Sequence, residues 1–261
     1  MNLKEFLEDI YKKYNKKKYV NPDPLIFLYD YPDLKNREII GLLASSLAYG
    51  QVAQIIKTNK LIISKFGGTP YGYIRNSKVE DFKNDFKNFV YRFTTSEELV
   101  NFFIGIKRIL KEYGTLGTFF YNEYDKNNQD ILKALECFIR GVGYYKLSIN
   151  TMLSLPSKKS ACKRLFLFLR WMVRDDDVDP GGWSDIDKSE LIYPMDTHMF
   201  KIAKFLKFTK RKQVNLKTAI EVTKEFKKLS FDDPVKYDFS LTRFGIRNEL
   251  KIETLKNIIE K

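Results

Sequence analysis

Apolar residues recur at helical spacing through most of the chain, in segments closed by Gly, Pro, Asn and Asp, and the pattern predicts a mainly α protein. Residues 2–14 read as an amphipathic helix, and Lys16-Lys17-Lys18 opens an irregular, Pro-containing stretch through Asp33. From Lys35 to Ala48, Ile39, Ile40, Leu42, Leu43 and Leu47 make a wide apolar stripe, broken at Ala48-Tyr49-Gly50-Gln51. A second helix turns Val52, Ile55, Ile56, Ile62, Ile63 and Phe66 inward and stops at Gly67-Gly68-Thr69-Pro70. Residues Ser77–Thr95 support two readings: Phe82, Phe86 and Phe89 have helical spacing, whereas Phe89 to Phe93 looks extended. Helices follow from Ser96, with Leu99, Phe103, Ile106 and Leu110 on one side, and over Asn128–Arg140. From Cys162 to Arg174 the apolar residues run almost all the way round, as in a helix buried on most sides. A loop from Arg174 to Gly182 ends it, and the remaining helices are 197–207, 217–229 and 234–246. Val235, Tyr237, Phe239 and Leu241 alternate like a strand, and Asp232-Asp233-Pro234, as a helix start, decides for helix.

Charge narrows the choice of partner. The 261 residues carry 46 Lys and Arg against 33 Asp and Glu, a net +13 with the one histidine neutral. A field of that sign recruits polyanions, either nucleic acid or an anionic membrane surface. The longest aliphatic and aromatic run, Leu165–Leu169, is far too short to span a bilayer, and the charged N-terminal stretch lacks the apolar core of a signal peptide. The expectation is therefore a soluble, cytoplasmic protein with no membrane partner. Cys137 and Cys162 form no Cys-x-x-Cys pair, and with His198 the sole histidine neither a zinc finger nor an iron–sulfur site fits. No metal or cofactor is expected. The acidic run Asp175, Asp176, Asp177, Asp179 invites a calcium loop, but its sixth position is Pro180 and its twelfth is Ile186, where the chemistry needs Gly and a bidentate Glu. It reads instead as a solvated loop.

Two residues could carry chemistry. Lys163 stands where a polar turn enters the most apolar helix, near the positive end of the helix dipole and beside Lys158, Lys159 and Arg164. All of these favour a neutral, nucleophilic amine, although an ordinary surface lysine fits the same position. Asp196 directly precedes an apolar-periodic helix and is most simply its N-cap, but a cap carboxylate oriented by backbone donors can also face a cleft. Tyr49-Gly50-Gln51, between two helices, has the character of a turn that presses into a nucleic-acid groove, or of a plain helix hairpin.

Taken together, three stretches resemble the helix-hairpin-helix DNA glycosylase superfamily, which includes endonuclease III and the 8-oxoguanine glycosylases. Arg37 to Ser46, with the Gln51 turn and the helix to Pro70, is similar to the superfamily's opening helix pair. Pro194-Met195-Asp196-Thr197-His198 is similar to its Val-Asp-Thr-His segment, whose aspartate is catalytic, and Asp233 to Gly245 to its late helix. The blocks Lys163-Arg164-Leu165, Phe168 to Arg174 and Asp196-Thr197-His198 match a bacterial branch over nearly the full length.

The resemblance implies an all-α, two-lobed helical bundle, one lobe spanning about 36–174 and the other about 1–35 with 175–261, meeting at a cleft. It implies a monomer that binds double-stranded DNA and flips out a damaged base, an oxidised purine as first expectation. Lys163 and Asp196 would be catalytic. Tyr49, Gln51, Lys158, Lys159, Ser160, Arg164 and His198 would contact DNA, with the positive charge concentrated around Lys163 and Gln51 and the Asp175–Asp179 loop outside the path. The chain also departs from the pattern. The superfamily hairpin reads Leu-Pro-Gly-Val-Gly-x-Lys, whereas Leu155-Pro156 is followed by Ser157-Lys158-Lys159-Ser160, and Lys163 falls two positions late in gap-free register. The segment Asp175–Leu191 reads as an insertion that lengthens the lysine–aspartate separation, and the four-cysteine cluster of endonuclease III is absent. These departures keep open a non-catalytic nucleic-acid-binding protein on the same fold.

Overall fold

In the computed structural model, residues 2–143 and 151–246 are described. They form twelve α-helices, short 3-10 turns and one two-stranded hairpin, in two compact units. One comprises residues 22–158, the other residues 1–21 together with 159–261. Both boundaries fall earlier in the chain than the expected lobe limits: residues 24–30 pack on the helix that follows them, and the helix from Lys163 is tied to the C-terminal segment through Asp233 and Asp238. No helix among the described residues is long and apolar enough to cross a membrane.

The 22–158 unit is built from α2 (Leu34–Ser46), α3 (Val52–Ile63), α4 (Pro70–Asn76) and α5 (Val79–Phe86), then the hairpin β1 (Val90–Tyr91) and β2 (Thr94–Thr95), and α6 (Ser96–Tyr113), α7 (Leu116–Lys126) and α8 (Ile131–Val142). The ambiguous Ser77–Thr95 region resolves into both readings in series, helix α5 and then the antiparallel pairs Val90–Thr95 and Tyr91–Thr94. Helices α4 and α7 fall outside the predicted segments, although α7 buries Leu116, Phe119, Phe120 and Tyr124 at helical spacing. The central helix α6 starts on a capping box in which the Thr95 hydroxyl accepts from the Glu98 amide and the Glu98 carboxylate from the Thr95 amide. Its Phe103 meets Phe66, Phe82 and Phe86 with ring centroids 5.3–5.8 Å apart. Gly105 lets α6 touch the backbone of α8, since a Cβ there would stand 1.7 Å from the Val142 carbonyl oxygen. Glu38 is fully buried in α2 because its carboxylate accepts from the Leu116 and Gly117 amides at 2.6 and 2.9 Å, donors that the first turn of α7 leaves open.

The other unit contains α1 (Leu3–Tyr14), α9 (Lys163–Val173), α10 (Thr197–Phe205), α11 (Leu216–Leu229) and α12 (Asp238–Ile246). Helix α1 buries Phe6, Leu7, Ile10 and Tyr14, one stripe, and sets Tyr14 edge-on against Phe244 of α12. Two sequence expectations change here. Helix α12 begins at Asp238, not at Pro234, because the Asp233 carboxylate accepts from Arg174 Nε at 2.9 Å and residues 234–237 form a turn. The acidic loop after α9 is solvated only in part: Asp175 and Asp177 are exposed, whereas Asp176 is part-buried and Asp179 fully buried. Arg170 and Arg174, one turn apart on α9, reach into it. Arg170 pairs with Asp179 and Asp238, and Arg174 with Asp176, Asp179 and Asp233. The helix that looked apolar all round is thus tied by two buried guanidiniums to four aspartates.

Candidate active site

Lys163 is the first residue of α9 and Asp196 is the N-cap of α10, 33 positions apart in sequence. Asp196 divides its carboxylate between two tasks. Oδ1 accepts from the Met199 amide at 2.8 Å, closing the first turn of α10, and Oδ2 accepts from Lys163 Nζ at 2.9 Å. Both side chains are part-buried, with 33% of Lys163 and 23% of Asp196 exposed, so the pair is desolvated yet open to a ligand. Burial pushes the Asp196 carboxyl up, but Lys163, the Met199 amide and His198 more than offset it and hold it below the ordinary carboxylate range.

Asp238 lies close enough for Asp196 to matter to it. Burial pushes its carboxyl up to about 6, against the pull of Arg170 and with a further upward contribution from Asp196. The buried ion network thus adjoins the candidate site, with one carboxyl held below and its buried neighbour pushed above the ordinary carboxylate range. Tyr193, three residues before Asp196, is also fully buried, and Asp238 raises its hydroxyl further. Sequence reasoning missed Arg170, Arg174, Asp179 and Asp238. The signal available was the i, i+4 arginine pair followed at once by the acidic run.

The other predicted contacts divide between the two units. In the unit holding Lys163, His198 is exposed on the first turn of α10, Arg164 is half-buried and Lys159 is exposed. Lys159 (φ 60°) and Cys162 (φ 47°) hold left-handed backbone that suits glycine, the Lys159 carbonyl accepts from the Leu216 amide at 3.3 Å, and Ser160 Oγ accepts from the Cys162 amide at 3.4 Å. In the 22–158 unit, Lys158 is exposed at the end of a 3-10 turn whose Ser157 is held by Glu136. Tyr49 is half-buried there, its hydroxyl bonded to the Tyr91 carbonyl at 3.1 Å and Thr94 Oγ1 at 2.5 Å, so it fastens the hairpin. Gln51 is exposed as the N-cap of α3 and its side chain makes no cap bond.

A row of cations went unassigned in the sequence. Between Asp196 and Glu221 there is no acidic residue, and Lys201, Lys204, Lys207, Lys210, Arg211, Lys212 and Lys217 are all exposed. This row helps to give residues 1–21 with 159–261 28 basic against 19 acidic side chains, a net +9, while residues 22–158 carry +4. Among the described residues no group of three or more His, Cys, Asp or Glu could hold a metal ion.

The family model described as "protein of unknown function (DUF2400)" matches residues 23–247. The chain belongs to the DUF2400 family. No curated protein and no solved structure matches it. The DUF2400 match takes in Lys163, Asp196, the buried arginine–aspartate network and the Gln51 turn, and leaves α1 outside.

Proposed function

We propose that this DUF2400 chain is a DNA base-excision glycosylase with lyase activity, using Lys163 as nucleophile and Asp196 as its partner. The observation that carries the reading is the 2.9 Å contact between the Lys163 amine and the Asp196 carboxylate, two residues singled out separately in the sequence. The acid-free row on and after α10 suits the phosphates of double-stranded DNA beside that pair.

In this mechanism a damaged base, an oxidised purine as first candidate, is flipped from the duplex. The amine must lose a proton before attack, and the ionised Asp196 carboxylate is the adjacent acceptor. Lys163 Nζ then bonds to C1′ as the glycosidic bond breaks, and the electron pair of that bond leaves with the base, which takes up a proton. Asp196 gives the departing base the proton it took from Lys163 and, ionised again, stabilises the positive charge left on the sugar. Ring opening gives a Schiff base between Nζ and C1′, from which β-elimination expels the 3′ phosphate. In gap-free register Lys159 stands at the second glycine of the superfamily hairpin, and its left-handed φ of 60° is the backbone that a glycine adopts readily.

Borohydride trapping on abasic and 8-oxoguanine duplexes tests the proposal. Lys163→Ala is expected to abolish the covalent adduct while DNA binding persists, and Asp196→Asn to slow its formation by about 100-fold or more. An adduct that survives Lys163→Ala unchanged refutes the nucleophile. No adduct with wild-type protein, alongside salt-dependent binding, favours the non-catalytic binding protein, a reading to which the glycine-free turn at residues 157–160 also lends weight.

A further inference from the structure

A groove of about 770 Å³ lies within the 22–158 unit, between α3 and the β1–β2 hairpin. On the helix side Gln54, Lys57, Thr58 and Leu61 follow one another at i, i+3, i+4 and i+7, with Gln51 at the helix start. Val90, Tyr91 and Arg92 line the hairpin side. Lys57, Lys60 and Arg92 are its charged lining residues, and the sequence from Ile39 to Val79 contains no acidic residue at all. Large apolar side chains stand open beside these cations: Leu61 is 58%, Val90 74% and Phe93 70% exposed. Phe93 forms the hairpin tip, with the Arg92 guanidinium 5.7 Å from its ring centroid.

The hairpin is built to hold this position. Arg92 is left-handed at φ 52°, and it lies across Gly50, where a Cβ would meet Arg92 Cδ and Nη1 at 3.0 Å. Tyr91 donates its hydroxyl to the Tyr49 carbonyl while Tyr49 returns a bond to the Tyr91 carbonyl, fastening the hairpin to the Gln51 turn from both sides. Groove and tip are therefore tied together through the Gln51 turn.

We propose that this groove binds an unpaired stretch of nucleic acid, with phosphates on Lys57, Lys60 and Arg92 and bases packed against Leu61, Val90 and Phe93. Cations interleaved with open apolar and aromatic groups suit a strand whose base faces are unstacked, whereas a duplex stacks those faces away and offers only phosphates and groove edges. The Gln51 and Gln54 amides each carry a donor and an acceptor for a base edge. A membrane would engage the Phe93 tip and leave the concave floor with Lys57, Lys60 and Arg92 unused, and that floor favours the nucleic acid. The inference rests on the reading of the chain as a nucleic-acid protein and is independent of Lys163 chemistry.

Fluorescence anisotropy of the full chain with a labelled oligothymidylate of about 12 nucleotides tests it across a salt series. Lys57→Ala with Lys60→Ala is expected to reduce the slope of log affinity against log salt by about 1.4. Phe93→Ala should weaken binding about 5- to 150-fold, and Lys163→Ala should leave it unchanged while abolishing the borohydride adduct. All the substituted groove residues are exposed, so the fold is retained. Wild-type affinity in Phe93→Ala, with or without a change in the lysine variant, overturns the proposal, as does binding of phosphatidylserine vesicles that depends on Phe93 while oligonucleotide binding does not.

Discussion

Arg170→Met tests the buried network beside the candidate site. The guanidinium is 2% exposed and lies between Asp179, fully buried, and Asp238, 1% exposed. Methionine fills much of the volume but leaves Asp238 without its paired cation, whereas Asp179 keeps Arg174. Breaking a buried pair by removing one partner costs about 3–5 kcal/mol, because the remaining charge is uncompensated. That cost depends on pH with a definite sign. The Asp238 carboxyl is already raised to about 6, and loss of Arg170 raises it further. A folded-state value above the unfolded one means that the folded chain holds the extra proton, so stability falls as pH rises through that window. Between about pH 6 and pH 8 the variant should therefore lose up to about 3 kcal/mol relative to wild type, at about 1.4 kcal/mol per pH unit. Urea unfolding followed by tryptophan emission isolates the effect, since the chain has two tryptophans and both Trp171 and Trp183 are buried in the unit that holds the network. Arg170→Met with Asp238→Asn should recover most of the loss at pH 8. A deficit below about 1 kcal/mol at pH 8, or one equal at pH 6 and pH 8, would refute the reasoning.

Gly105→Ala should destabilise the 22–158 unit by about 3 kcal/mol or more, because its Cβ would strike the Val142 backbone, while Gly141→Ala meets only the Phe119 ring at 2.5 Å and should cost less; equal losses in thermal melts would contradict the helix contact. Lys159→Gly should relieve the left-handed strain and raise stability by about 1 kcal/mol, a rise of roughly 2–4 °C in Tm by circular dichroism, and a fall would show that Lys159 is not strained.

Helical periodicity is enough to find α1 to α3, α6 and α8 to α11, since each carries its buried positions at helical spacing in its own residues. The cap at Asp196 was legible for the same local reason, an aspartate before a periodic run. What escaped was set by partners distant in sequence. Arg170 looks like an interruption of an apolar helix until Asp238, 68 positions later, is folded against it. Asp233-Pro234 has the form of a helix start, yet the carboxylate that would cap goes to Arg174 instead. Glu38 has no local reason to be buried, because the donors that satisfy it belong to α7. The left-handed turns at Lys159 and Cys162 were invisible because glycine, the usual sign of such backbone, is absent from them. The Lys163–Asp196 pairing was anticipated through the family resemblance and not through spacing.

For Asp196, cap and catalyst looked like competing assignments, and the geometry removes the competition. A carboxylate has two oxygens, and here Oδ1 is spent on the Met199 amide while Oδ2 faces Lys163. The cap bond makes the second oxygen useful, since it fixes the plane of the group and stabilises its ionised form against burial. Asparagine would keep the shape and the cap bond through its carbonyl, but it would present an uncharged amide to Lys163. Serine would keep only a cap. A structural aspartate needs nothing beyond the first oxygen, so the placement of a part-exposed lysine on the second is what a purely structural account of α10 does not require.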